Sequence, residues 1–272
     1  NFNFDCTSIE SCTTNQPTNP TTEASTLPSN PASISSTPSP IDQCESYPNR
    51  QESNNHEIKL EKACFFNLRS PNSLNGGAIS VIDASLELEE CHFTDCTSKG
   101  NGGAVYVTFS SLDKELEIEK CIFNSCFSGK FGGSIFFVST SQAAESSIED
   151  CTFEGNKAQQ GAGAVYYSPR ANSELKNNLF IDNICINNNA QGSSLYLIIE
   201  KQNSTKLQIK DDDSNDNENK PVVVENNRFR SKPVNNSQQL YIDVKKSGEL
   251  HFNSNSFSFD KTNSEDIPSN AK

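Results

Sequence analysis

The chain has no methionine, no tryptophan and only three histidines among 272 residues, and no long apolar run. A helix that crosses a bilayer needs ~20 consecutive apolar residues, so membrane insertion through a helix is not expected. Methionine is missing even at position 1 and no signal peptide is visible, as expected of a mature chain or an excised piece of a longer one. Cations are also scarce. Lys and Arg total 22 against 35 Asp and Glu, a net charge of −13. That balance argues against nucleic acid, whose phosphates need a basic surface, and against an anionic membrane surface. His56, His92 and His251 are scattered, and no Ser-His-Asp or Cys-His arrangement emerges. Only a third of the residues are hydrophobic and no helical period appears, which speaks against a helix bundle or an ordinary α/β enzyme.

What is present is Ser, Thr, Asn and a regular set of ten cysteines. Residues 13–40 hold 19 Ser, Thr or Pro residues. Such a segment cannot bury a core and reads as an extended, O-glycosylated stalk, with Thr13, Thr14, Thr18, Thr21, Thr22, Thr26 and Thr37 as acceptors. Before it, Asn1–Cys6 alternates apolar and polar like a strand, with Phe2 and Phe4 on one face. Asn203 and Asn235 open Asn-x-Ser/Thr sequons in loop-like segments. The organisation is therefore an arm over 1–12, a mucin-like linker over 13–43 and a main domain over 44–272. Cysteines, sequons and stalk together indicate an oxidising, extracellular or cell-surface setting.

The main domain is repetitive, and the repeat decides the fold. A Cys/Asn-x-Phe triplet recurs at Cys64, Cys91, Cys121, Cys151, Asn178, Asn227 and Asn255, at intervals of 27, 30, 30, 27, 49 and 28 residues. Three residues before each triplet, from the second onward, stands Leu88, Ile118, Ile148, Leu175, Val224 or Phe252. About ten residues after it comes a glycine turn, and then a short strand: 78–81, 104–107, 134–137, 164–167, 194–197 and, later, 239–242. No unit can bury its apolar residues alone, but stacked copies share one core. A propeller blade would need four strands and ~40 residues. The expectation is an all-β fold: a right-handed, single-stranded parallel β-helix of about seven coils, with Lys210–Lys220 looping out of the long interval.

These motifs resemble the GGAI and FxxN repeats of the polymorphic outer-membrane protein family of bacterial autotransporters. Gly76-Gly77-Ala78-Ile79 matches the first, with Gly102–Val105 and Gly132–Ile135 as close variants, and Phe153-x-x-Asn156 and Phe180-x-x-Asn183 match the second. Cys96 and Cys126 stand where FxxN carries Asn, and such cysteine-containing versions look like surface proteins of some protists. The resemblance covers roughly residues 60–260 and implies a β-helical surface or adhesive role.

Two columns of side chains then matter. Cys64, Cys91, Cys121 and Cys151 are expected in one, Cys96 and Cys126 in another, at the ~4.8 Å separation of stacked strands. That lies within disulfide range for Cα atoms but is long for Cβ atoms. Cys96–Cys126, Cys121–Cys151 and Cys64–Cys91 are the candidate bridges; a column of reduced, buried thiols is the alternative. Cys6, Cys12, Cys44 and Cys185 remain, for a Cys6–Cys12 loop or a bridge from arm to body. The second column is aromatic: Tyr106, Phe136, Tyr166, Tyr196 and Tyr241 share one strand position. The neighbours on both sides, such as Val105 and Val107 or Leu195 and Leu197, are aliphatic, so this single column is placed outside, as an interaction stripe, a sugar platform or a packed ladder.

The acids Glu87, Glu89, Glu117, Glu119 and Glu149 follow the repeat, which marks an outer face rather than one focused site. The run Asp211–Glu218 departs from a calcium loop, whose sixth and twelfth positions would fall on Asp216 and Val222. No metal or cofactor is implied. The function expected is an extracellular structural or surface glycoprotein, a subunit of a fibre or adhesive layer that self-associates through its arm or by β-helix stacking. A carbohydrate-binding or polysaccharide-degrading β-helix is the alternative.

Overall fold

All strand pairings among the described residues are parallel, and each links a strand to its counterpart about one repeat away. By internal contacts the chain separates into Asn1–Ser39 and Pro40–Lys272. The structure, a computed structural model, describes residues 44–141, 143–170, 172–199, 221–231, 238–245 and 250–259, all in the second unit. These form a parallel β-helix in which four sheets run along the stack, of eight, seven, seven and four strands. The predicted arm with Phe2 and Phe4, the stalk threonines, Cys6, Cys12, both sequons and the acidic insertion lie outside the described residues.

The eight-stranded sheet carries the centre of the core. Phe65, Phe93, Phe123, Phe153, Phe180, Phe229 and Phe257 stack in one interior column, with centroids 4.7–5.1 Å apart and planes within 13° of parallel. Six of the seven are fully buried; Phe257 is 46% exposed. Tyr47 lies over the first ring at 5.2 Å. The next sheet supplies Leu86, Leu88, Leu116, Ile118, Ile148, Leu175, Val222 and Val224 to the same core, in register. Where Ser146 and Ser173 replace the aliphatic residue in that sheet, the buried Tyr167 hydroxyl fills the space and pairs with the Ser146 hydroxyl at 2.8 Å. A buried phenol needs such a partner.

The corners explain the triplets. The coils turn through residues in the left-handed region, at Glu90, Lys120, Asp150, Asn177, Asn226 and Ser254 at one corner and at Asp95, Ser125, Gly155 and Asp182 at the other. The residue that follows points inward and bridges coils. At the first corner, the N–H of Cys91 donates to Cys121 Sγ at 3.3 Å, that of Cys121 to Cys151 Sγ at 3.4 Å, and that of Cys151 to Asn178 Oδ1 at 3.0 Å. Asn178 and Asn227 continue the series, each donating to the next Asn Oδ1 at 3.0 Å. Each side chain also donates backwards. Cys121 reaches Leu88 O, Cys151 reaches Ile118 O, and Asn178 reaches Ile148 O. Thiol and carboxamide thus do one job, which satisfies buried backbone groups that a corner takes out of the sheet ladder.

Two expectations are corrected here. Cys64 aligns with His92 rather than Cys91, and Phe65 rather than Phe66 joins the interior stack. The first triplet is therefore out of register by one residue, which sends Cys64 to the outer side. Across the long interval the parallel pairing resumes, with Val222–Glu225 in register with Ser173–Lys176.

The glycine turns are forced by contact. A Cβ on Gly103 would lie 1.9 Å from the carbonyl oxygen of Gly133 on the next coil, a clash that only a missing side chain avoids. The strands after these turns begin one residue later than expected, at Ile79, Val105, Ile135, Val165, Leu195 and Leu240.

Candidate interaction surface

The second seven-stranded sheet follows the glycine turns and has a buried and an outward face. Val105 and Val107, Ile135 and Phe137, and Leu195 and Leu197 point into the core, because residues two apart share a face. Between them Tyr106, Phe136, Tyr166, Tyr196 and Tyr241 align in register and face outward, half-buried, as expected. The column opens with Glu52 and Ser80 in the first two coils and becomes aromatic from the third.

The rings stack on one another, at 5.4, 4.6, 5.3 and 4.3 Å from Tyr106 to Tyr241. Their faces are thus occupied by neighbouring rings, and the rims and hydroxyls form the outer surface. A sugar ring prefers a free aromatic face, so this arrangement suits edge-on packing against another surface better than a carbohydrate platform. Phe131, from the preceding loop, leans over the ladder at 5.5 Å from Tyr166 and 6.2 Å from Tyr196. It shields one flank. Burial, with Tyr241 alongside, pushes the Tyr196 phenol up to about 12. Ile82, Thr108, Val138 and Ile198 continue the outward surface two residues further on.

The adjacent seven-stranded sheet presents the acids. Glu87 and Glu117 align across neighbouring strands, as do Glu89, Glu119 and Glu149. Burial, with Glu87 opposite, raises the Glu117 carboxyl above its ordinary value; burial and Glu174 do the same to Glu149. Lysines relieve the repulsion in part: Lys59 meets Glu87 at 2.5 Å, and Lys120 meets Glu119 at 2.6 Å and Glu89 at 3.6 Å. A shallow hollow on this side is lined by Glu115, Glu145, Asn172 and Glu174. His92 stands outside on the phenylalanine sheet, its pKa lowered by burial.

The cysteines are arranged differently from the expected bridges. One disulfide joins Cys44 to Cys64, with Cα atoms 5.6 Å apart. Cys91, Cys96, Cys121, Cys126 and Cys151 are free, buried thiols, so Cys96–Cys126, Cys121–Cys151 and Cys64–Cys91 are not bridged. The reason is geometric. Each ladder sulfur donates to backbone carbonyls, as Cys126 Sγ does to Phe93 O and Asn124 O, and those of Cys121 and Cys151 also accept a backbone N–H. Burial holds the Cys121 and Cys126 thiols well above their ordinary range. Cys185 is a half-buried free thiol near Gln191 O, raised to about 11 by burial. The Cys44–Cys64 pairing carried no signal in the spacing, since Cys44 lies before the first repeat.

Residues 150–168 match the Chlamydia polymorphic membrane protein repeat. That span runs from the left-handed corner at Asp150, through Phe153 and Asn156, to the end of the strand Val165–Ser168. The resemblance to these β-helical repeats thus rests on the residues that build the corners and the core. No curated protein and no solved structure matches the chain. Among the described residues, no helix is long and apolar enough to cross a membrane.

Proposed function

We propose that this chain is a non-catalytic, surface-associated structural protein whose β-helix carries an association face and whose copies assemble into a fibre or adhesive layer. The observation that carries this reading is the outward aromatic column Tyr106–Tyr241. It spans five coils without a polar interruption on a chain that is otherwise acidic outside. A contiguous aromatic surface of this kind marks an interaction site, and its ring rims suit packing against a second flat sheet. The repeat match supports a cell-surface or outer-membrane setting. A structural role also fits the acids, which recur with the coils instead of converging on one point. Glycans at Asn203, Asn235 and the stalk threonines would make the chain a glycoprotein, and the N-terminal arm with Phe2 and Phe4 offers a further assembly contact.

Light scattering after size exclusion and negative-stain electron microscopy of the full chain test this reading. Oligomers or filaments are expected from the native chain. The double variant Tyr166→Ser/Tyr196→Ser, with an unchanged circular dichroism spectrum, should be monomeric. Assembly that survives in that variant but is lost on deletion of residues 1–12 would move the contact to the arm. A native chain that stays monomeric at every concentration would overturn the assembly reading.

A further inference from the structure

Of the six tyrosines in the chain, Tyr196 contacts tyrosine rings of both adjacent coils, stacked on Tyr166 at 5.3 Å and 19° and tilted against Tyr241 at 4.3 Å and 36°. All three are half-buried on an outer sheet face. The others sit differently. Tyr106 stacks on Phe136 at 5.4 Å and has Ser80 opposite on its other side. Tyr167 is fully buried in the core, and Tyr47 packs on Phe65.

We propose that Tyr196 is the shared member of an oxidative cross-linking site, which couples it to Tyr241 or Tyr166 through ring carbons ortho to the hydroxyls. The co-reactant is hydrogen peroxide acting through a haem peroxidase, a one-electron oxidant of phenols. Two phenols each lose one electron and one proton to become phenoxyl radicals. The radicals join by a carbon–carbon bond, and the ring hydrogens displaced at the new bond return the hydroxyls. Overall two hydrogen atoms leave the protein and reduce one peroxide to two waters.

Position does most of the work. Parallel strands hold the partners in register at ~4.8 Å, so the radicals meet without diffusing, and proximity of this kind replaces a bimolecular encounter. Phe131 leans over the Tyr166–Tyr196 junction. Tyr241 is also the closer ring, which makes Tyr196–Tyr241 the favoured product. Phenylalanine at 136 ends the reactive run, because a ring without a hydroxyl forms no phenoxyl radical under these conditions. This site stands independently of whether the same face also binds other copies.

The test treats the purified full chain with peroxide and a haem peroxidase. It reads intact mass, blue dityrosine fluorescence and cross-linked peptides after digestion. The expected result is a monomer lighter by two hydrogens, with a peptide linking Tyr196 to Tyr241 as the main product. Tyr196→Phe keeps the ring and should abolish the intrachain product. Tyr106→Phe should leave its yield unchanged, and Tyr241→Phe should divert coupling to Tyr166. Circular dichroism checks that each variant is folded. Undiminished intrachain product in Tyr196→Phe, loss of product in Tyr106→Phe, or covalent dimers without the lighter monomer would each overturn the proposal.

Discussion

The backbone N–H of Cys126 donates to the side-chain Oδ1 of Asn156, one coil further along, at 2.9 Å. At this contact a column of thiols becomes a column of carboxamides, and Asn156 in turn donates to Asn183 Oδ1 through both its backbone N–H and its Nδ2. The same change of residue type occurs between Cys151 and Asn178 at the other corner. The early coils therefore use a weak, compact donor and acceptor where the later coils use a strong one.

Asn156→Ala should be costly. It removes the acceptor of the Cys126 N–H and the donor to Phe123 O, both buried. Stranded buried polar groups cost about 1–3 kcal/mol each, so a loss of about 3 kcal/mol is expected in urea denaturation. Asn156→Cys, which copies the earlier coils, should lose about 1 kcal/mol or less by the same measure.

Ser134 and Ser194 carry buried hydroxyls without a hydrogen-bond partner, at the position that Ala78, Ala104 and Ala164 occupy in other coils. Replacing an unsatisfied buried hydroxyl by a methyl group removes a desolvation penalty. Ser134→Ala should therefore stabilise the chain by about 1 kcal/mol, read as a higher denaturation midpoint at unchanged slope.

Gly103 and Gly155 should respond in opposite ways to the same chemistry. A side chain on Gly103 meets the Gly133 carbonyl oxygen at 1.9 Å, so Gly103→Ala should break the stack locally and cost more than about 3 kcal/mol. Gly155 has φ +63° but open space around a would-be Cβ, whose nearest atom lies at 3.6 Å. Asp95 and Asp182 occupy the equivalent corner. Gly155→Asn should therefore be tolerated within about 0.5 kcal/mol, since Asn enters the left-handed region readily. Thermal melts of the two variants decide this.

Stability should be flat through neutral pH and fall in alkali. The Cys91, Cys121 and Cys126 thiols and the Tyr196 phenol all have folded-state values above their ordinary ones. Above the unfolded thiol range of ~8.5 and phenol range of ~10, the unfolded chain releases protons that the folded chain keeps. The stability these groups contribute is thus fully present at lower pH and is lost as pH rises. Melting temperatures from pH 7 upward should decline, with Tyr196 reaching its own transition only at about 12. A midpoint that rises in this range would contradict the assigned environments.

Cys44→Ser should cost about 3 kcal/mol, as expected for opening a loop of 20 residues in the chain-entropy account. The effect should vanish when native and variant chains are compared under reducing conditions.

Much of this architecture was legible because a solenoid writes its core into the sequence at a fixed interval. Leu88, Ile118, Ile148, Leu175 and Val224 recur at one position of the repeat and lie in one register in space. The outward placement of Tyr106 and its column followed from the aliphatic residues on either side. The first coil is ambiguous in sequence because Ala63-Cys64-Phe65-Phe66 offers two phenylalanines, and only pairing with Phe93 selects Phe65. The role of the cysteines was hidden for a different reason. Column spacing suits both a bridge and a hydrogen bond, and the choice depends on where each sulfur points. The Phe131 shield over Tyr166 comes from a loop whose path no periodicity encodes.

The register of Leu116–Glu119 with Leu86–Glu89 on one side and Ser146–Glu149 on the other gives each coil the same kind of upper and lower neighbour. A coil such as 91–120 therefore behaves as a cassette. Duplicating or deleting it would rejoin Cys91-like and Cys121-like corners without disturbing any contact beyond the joint. Gene-level recombination within the repeat could lengthen or shorten the protein in steps of one rung, and each product would inherit both a finished core and one more or one fewer ring on its outer aromatic face.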